Sequence, residues 1–342
     1  MPDHLIPYID IAALFSGPSS ARDTADRLIG EAATSIGFMT VTGLPGDTLS
    51  PDLRRRLLSI FGLPEDAKRK LYRWNFDPTR ANVYRGWFPL TPGNATWKEG
   101  IDMGPDVAYG PSRTRPDDPL VEPTPLPDPA DLPGWHQAVQ DYYRAMEGVG
   151  QALMRALARS LGLPEQVFDA SFEQGISTLR LLRYPPRTPE SLAGAGDEAR
   201  VTHDGRELFM LARAHVDSGF VTLLAQDGVA GLQAQASDEV WVDVPPREST
   251  LAVNFGKLLE RWTGGRVKAT RHRVIGGSAE RFSIPFFYEP AVDAVIAPLP
   301  LGGAADFAPV SYGDHLWDAT TKFVEQAGIA HLRTPRGVTR AS

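Results

Sequence analysis

Hydrophobic and polar positions along this chain change period near residue 175. Before that point the spacing is helical. Ala21, Ala25, Leu28, Ile29, Ala32 and Ile36 share one face behind Ser20, where Asp23 three residues on forms a capping-box start and Gly37 a stop. Leu53 to Leu71 reads as a second helical region broken at Pro64, and Glu65, Asp66, Lys68, Arg69 and Lys70 read as its solvated face. From Trp135 to Leu163, Val139, Tyr143, Met146, Gly150, Leu153, Met154, Leu157 and Leu161 form the stripe of a long amphipathic helix able to back a sheet. Short strands are expected at Ile6–Ile11 and Phe38–Thr42, whereas Tyr84–Gly104 and the Pro- and Asp-rich stretch 105–133 read as loop.

Beyond the change the period is two. Strands are expected at Thr178–Tyr184, Glu207–Ala214, Val221–Ala225, Val240–Val244, Leu251–Phe255, Val267–Val274 and Phe282–Tyr288, with a final helix from Tyr312 to Gln326. Turn signals separate most of the strands, among them Asp204-Gly205, Asp227-Gly228 and Gly276-Gly277. Many short strands so divided predict a barrel or two-sheet jelly roll, mainly β with flanking helices. Residues 1–133 then form an N-terminal region of mixed helix, strand and loop packing on the core. Residues 134–342 hold the backing helix, the core and the C-terminal helix, the two regions making one structural unit.

Composition narrows the chemistry. The 342 residues include no Cys, so thiol catalysis and disulfides are excluded and any metal must be held by His, Asp or Glu. A net charge of −7 gives no electrostatic reason for nucleic acid or an anionic membrane as partner. With no apolar run of membrane-spanning length and no signal-peptide pattern, the expectation is a cytoplasmic protein acting on a small molecule.

His215 and Asp217, two apart, project from one face of an extended backbone, and His272 lies 55 residues further on, on a strand that can come alongside. Two imidazoles and a carboxylate leave half of an octahedral metal open, which suits non-haem Fe(II) taking co-substrate and O₂. Each of these residues alone is more commonly structural. Arg281 and Ser283, nine and eleven residues after His272, again face one way, and a guanidinium beside a hydroxyl is a good carboxylate receptor. Asn254-Phe255-Gly256 and Trp262-Thr263-Gly264-Gly265 read as turn chemistry between the ligand strands. His203-Asp204 is a rival metal pair, disfavoured because Asp204-Gly205 is a hairpin turn and adjacent strand residues point to opposite faces.

Together these residues resemble the isopenicillin N synthase-like branch of the 2-oxoglutarate/Fe(II)-dependent dioxygenases. The likeness runs through Leu179-Arg180-Leu181-Leu182-Arg183-Tyr184-Pro185-Pro186, Ala214-His215-Val216-Asp217-Ser218-Gly219-Phe220 and Gly231-Leu232-Gln233. It continues through Trp241-Val242-Asp243-Val244, Val253-Asn254-Phe255-Gly256, His272-Arg273-Val274 and Arg281-Phe282-Ser283-Ile284-Pro285. It implies a distorted double-stranded β-helix core, with an oxygenase region at about 175–290. His215, Asp217 and His272 would be the iron ligands. Arg281 and Ser283, assisted by Tyr184, would bind the distal carboxylate of 2-oxoglutarate. The implied reaction oxidises, most simply hydroxylates, a small organic substrate with release of succinate and CO₂.

Leu182 departs from the pattern, standing where many members carry Asn. Substrate contacts are expected at the barrel mouth, roofed by the N-terminal region and the C-terminal helix. The candidates are Tyr84, Arg85, Trp87, Lys98, Arg183, Arg213, Phe286 and Tyr288, and the Arg residues among them suit an acidic substrate. Two other readings stand beside this one: a same-fold iron oxidase, cyclase or ethylene-forming type that does not use 2-oxoglutarate as a simple co-substrate, and a non-enzymatic jelly-roll binding protein. The oligomeric state is not legible in the sequence.

Overall fold

The computed structural model describes residues 5–112, 114–302 and 306–338. Its strands are β1 Tyr8–Asp10, β2 Phe38–Thr42, β3 Gly86–Phe88, β4 Glu99–Met103, β5 Thr178–Tyr184, β6 Arg200–His203, β7 Arg206–His215, β8 Val221–Gln226, β9 Leu232–Gln235, β10 Trp241–Asp243, β11 Leu251–Phe255, β12 His272–Gly276 and β13 Arg281–Tyr288, with a small pair, β14 Val295–Ile296 and β15 Val310–Ser311. Eight of them form one sheet in the order β1-β2-β11-β8-β13-β5-β4-β3, and five form a second, β10-β9-β12-β7-β6. Apart from the parallel β1–β2 pair, the neighbours are antiparallel. This is the mainly-β jelly-roll architecture with flanking helices that the period change predicts. Strands from the first 103 residues lengthen the larger sheet at both edges.

Side chains alternate across each strand, so the larger sheet has a helix face and a barrel face. The helix Trp135–Ser160 covers the outer face against β8 and β13. There the Tyr143 ring meets Phe286 edge-on at 5.0 Å, and Tyr288 stacks on Phe172 at 4.5 Å. The barrel face meets the smaller sheet through a separate apolar cluster that includes Phe38, Leu182, Tyr184, Leu211, Leu232 and Val274.

Several local expectations change. The first helix, Ser20–Thr34, is capped by Ser19, whose hydroxyl accepts from the Arg22 amide at 3.2 Å, one residue before the expected position. Lys68 does not belong to a solvated face. It is buried, lies over the Trp87 ring at 5.2 Å, and approaches Glu99 at 3.9 Å. The stretch 84–104, expected as loop, contains β3 and β4, because the charges of β4 are buried in ion pairs and so hide a strand pattern. The strand expected at Val267–Val274 begins only at His272. The final helix ends at Thr320, and Val324–Gln326 forms a separate single turn. The Asp204-Gly205 hairpin is present, both residues having positive φ (50° and 72°) between β6 and β7.

Gly150 lets the long helix approach the sheet. A Cβ at that position would lie 2.5 Å from Tyr288 Cγ, and the Tyr288 ring is held from behind by Phe172. Gly150→Val is expected to cost about 2–3 kcal/mol through overpacking, read as a lower midpoint in chemical denaturation with an unchanged slope.

Candidate active site

The antiparallel pairing of β7 with β12 sets His215 directly opposite His272, so two residues distant in sequence become cross-strand neighbours with ring centroids 4.4 Å apart. Asp217 lies two residues past the end of β7, in the turn toward β8. Its Oδ1 is 3.5 Å from His215 Nε2 and 3.6 Å from His272 Nε2. The three ligand atoms lie within 4.8 Å of one another, a spacing at which they could hold one metal ion.

Hydrogen bonds preset each of these groups. His215 Nδ1 lies 2.7 Å from the Arg213 carbonyl and His272 Nδ1 3.1 Å from the Thr270 carbonyl. Carbonyls only accept, so each Nδ1 donates its proton to one, and each ring turns Nε2 toward Asp217. Burial lowers the His272 pKa, against the pull of Asp217. Burial pushes Asp217 upward, but the two imidazoles and the Thr222 hydroxyl more than offset it and hold the carboxyl well below the usual carboxylate range. Its Oδ2 accepts from Thr222 Oγ1 at 2.5 Å and from Asn254 Nδ2 at 2.8 Å, which leaves Oδ1 free for a metal. Asn254 therefore does not serve turn chemistry. It lies on β11 and orients the carboxylate. Thr222 was not singled out in the sequence, and the signal for it was present: it is an inward position of β8, five residues from Asp217.

Arg281, Ser283 and Tyr184 share the barrel face of the neighbouring strands β13 and β5, with Arg281 directly across from Tyr184. The Arg281 guanidinium is 1% exposed and lies over the Tyr184 ring at 5.2 Å. Nη2 reaches Gln226 Oε1 at 3.3 Å, whereas Nε, Nη1 and Ser283 Oγ are buried without a hydrogen-bond partner among the described residues. A buried cation beside unused donors in an apolar interior costs several kcal/mol unless an anion joins it. The donor set therefore fits a carboxylate. These three residues do not line the large cavity described next.

That cavity, of about 340 Å³, opens against His215 and Asp217. Of the residues expected around the substrate, Tyr84, Lys98 and Arg213 line it, under a roof of the helix Tyr312–Thr320 and residues 322–326. Five others lie outside its wall. Arg85 is fully buried and bonded to Thr178 Oγ1 (2.6 Å) and the Ile176 carbonyl (3.0 Å), and Trp87 is packed against Phe61. Arg183 faces away from the barrel interior and bridges Glu99 and Glu280 at 2.8 and 2.7 Å. Phe286 and Tyr288 point to the helix face, so the β13 side chain that reaches the cavity is Phe287. Arg213 is ion-paired with Glu198 and Lys98 with Glu325, which removes the basis for an acidic substrate. The hairpin does bring His203 and Asp204 together with Asp243, at 3.6 and 3.5 Å, but both carboxylates are exposed.

Comparison with known proteins agrees with this geometry. A family model described as the 2OG-Fe(II) oxygenase superfamily matches residues 177–290, and one described as the N-terminal part of the non-haem dioxygenases in morphine synthesis matches residues 6–133. Isopenicillin N synthase of Streptomyces clavuligerus is 29% identical over 322 residues, covering 92% of this chain and 94% of that protein. The 2-oxoglutarate-dependent dioxygenase citB of Monascus ruber is 31% identical over 310 residues, covering 86% and 87%. The crystal structure of a full-length Neurospora crassa protein in complex with alpha-KG superposes with a TM-score of 0.77 at 24% identity, covering 94% of this chain and 98% of that one. Among the described residues no helix is long and apolar enough to cross a membrane.

The clamp on Asp217 Oδ2 yields an expectation: Thr222→Val and Asn254→Ala should each lower Fe(II) affinity, titrated anaerobically, by about 10–100-fold, with circular dichroism unchanged.

Proposed function

Because the chain belongs to the 2-oxoglutarate/Fe(II)-dependent oxygenases, in the branch related to isopenicillin N synthase, we propose that His215 Nε2, Asp217 Oδ1 and His272 Nε2 are its iron ligands and that Arg281, Ser283 and Tyr184 receive the distal carboxylate of 2-oxoglutarate. The enzyme is an Fe(II)- and 2-oxoglutarate-dependent dioxygenase that oxidises a small organic molecule; the outcome we assign is hydroxylation. Iron and 2-oxoglutarate, when bound, supply the O₂-dependent oxidation, with the co-substrate leaving as succinate and CO₂.

The protein's part is position and exclusion. The two histidine Nδ1–H bonds and the two donors on Asp217 Oδ2 fix three ligand atoms before any metal arrives, so little reorganisation accompanies loading. The carboxylate receptor lies inside the apolar cluster between the sheets, where a guanidinium–carboxylate contact is strong because water does not compete. The substrate enters from the other side, through the cavity beneath residues 322–326, and is held away from bulk water next to His215. The observation that carries the reading is the unsatisfied Arg281/Ser283 pair behind an intact two-histidine, one-aspartate cluster.

The Arg-x-Ser pair by itself does not separate a 2-oxoglutarate enzyme from an oxidase that binds a substrate carboxylate there, so succinate release is the deciding measurement. Purified protein with Fe(II), 2-oxoglutarate and O₂ should release succinate without any added prime substrate, through uncoupled turnover. Asp217→Ala should abolish this release. Arg281→Ala should weaken 2-oxoglutarate binding by about 10–100-fold, the size of one charge-assisted hydrogen bond, with a smaller effect on turnover at saturation. Undiminished release in Asp217→Ala would remove the site assignment.

A further inference from the structure

The cavity has a polar wall that neither the metal ligands nor the carboxylate receptor uses. Arg180 lies on β5, on the same face as Tyr184, and lines the cavity. Its Nε and Nη2 are held by Asp102 at 2.5 and 2.8 Å, and the guanidinium lies 5.4 Å from each of the Phe88 and Phe287 rings. Asp102 is 1% exposed and also pairs with the fully buried Arg73. One carboxylate thus serves two guanidiniums and leaves a positive excess. Nη1 of Arg180 has no hydrogen-bond partner among the described residues, and the side chain stays 16% exposed.

Glu289, just past the end of β13, supplies the opposite sign. It is buried, lines the same cavity and forms no ion pair among the described residues. Thr178 Oγ1 lies 3.5 Å from its Oε2, too long for a strong bond, while the nearby Arg85 directs Nη1 and Nη2 at Thr178 and main-chain carbonyls. Burial raises its carboxyl to about 7, opposed by Tyr312, Arg85 and Thr178. A Cβ built on Gly219 would lie 3.3 Å from Glu289 Oε1, so this carboxylate borders the loop that carries Asp217.

The remaining charges of the wall cancel locally: Lys98 with Glu325 at 2.8 Å, Lys322 with Asp318 at 2.7 Å, and Arg213 with Glu198. Among the described residues, Arg180 and Glu289 are therefore the two charged groups of this wall, outside the metal-capable cluster, that no ion pair saturates. Phe287, between them on the same face, offers an apolar floor.

We propose that Arg180 and Glu289 recognise the prime substrate, and that it is a small neutral or zwitterionic molecule presenting a carbonyl or carboxylate oxygen to Arg180 and an N–H to Glu289. The chemical class is that of lactams, cyclic imides and amino acids, rather than dicarboxylates or hydrocarbons. The assignment rests on the preceding reading, which puts iron at His215, Asp217 and His272 and reserves Arg281 for the co-substrate.

The test is calorimetry on the anaerobic protein loaded with Fe(II) and 2-oxoglutarate. The probes are 2-pyrrolidone, hydantoin and L-proline, each against a partner without the N–H: N-methyl-2-pyrrolidone, 1,3-dimethylhydantoin and tetrahydrofuran-2-carboxylate. At least one N–H compound should bind, and its partner should bind about tenfold or more weakly. Arg180→Met and the isosteric Glu289→Gln should each weaken that compound by about tenfold or more, while 2-oxoglutarate binding, measured in the same samples, stays within about twofold of the parent protein. The proposal is overturned if no N–H compound binds the loaded protein, if the partners bind equally well, or if both variants bind as the parent does. Failure of the parent protein to take up Fe(II) and 2-oxoglutarate would overturn the preceding reading, and this one with it.

Discussion

Strict alternation of side chains across β5 and β13 is the constraint on which the rest of this molecule depends. The two strands are neighbours at the centre of the larger sheet, with one face under the long helix and the other forming the barrel wall. On β13, Arg281, Ser283 and Phe287 go inward and Phe286 and Tyr288 go outward; on β5, Arg180 and Tyr184 go inward and Arg183 outward. A one-residue slip in their pairing would exchange these sets, turning Arg281 and Ser283 to the helix and Tyr288 into the barrel. The outer packing through Phe286, Tyr288 and Gly150 therefore maintains the chemistry on the opposite face.

The second sheet provides what this one lacks. Pairing β12 with β7 brings His272 to His215, and the turn after β7 returns Asp217 to both. Each group is then oriented by neighbours outside the cluster: two main-chain carbonyls, one hydroxyl and one amide. The metal-capable cluster lies at this junction between sheets, whereas much of the cavity wall comes from other parts of the chain.

That division explains how much was legible in the sequence. Strands with clear period two and turn signals, such as Thr178–Tyr184 and Leu251–Phe255, coincide with the observed elements. The ligand cluster and the Arg-x-Ser spacing stand out because the chemistry demands particular residue types at short, fixed intervals. Cavity residues follow no such rule. Arg183, Phe286 and Tyr288 are near the site in sequence but on the wrong face, and Arg85 and Trp87 are spent on structure. Phe287 and Glu289 reach it only through pairing that a linear reading does not supply. The strand β4 was hidden for a related reason, because Glu99 and Asp102 look solvent-bound until Arg183, Arg73 and Arg180 are seen to neutralise them.

Glu325 is one of the residues that fasten the roof of the cavity. The main-chain carbonyl of Glu325 accepts from Arg73 at 3.2 Å and from Asn75 at 3.1 Å, and its side chain holds Lys98. Arg73 in turn shares Asp102 with Arg180. Residues 322–326 are thus wired, through the Arg73 guanidinium and Asp102, to Arg180 in the cavity wall. Insertions or replacements on either side of that anchor can reshape what the enzyme admits while the oxidising machinery stays untouched, so one scaffold can be retargeted by rewriting its tail.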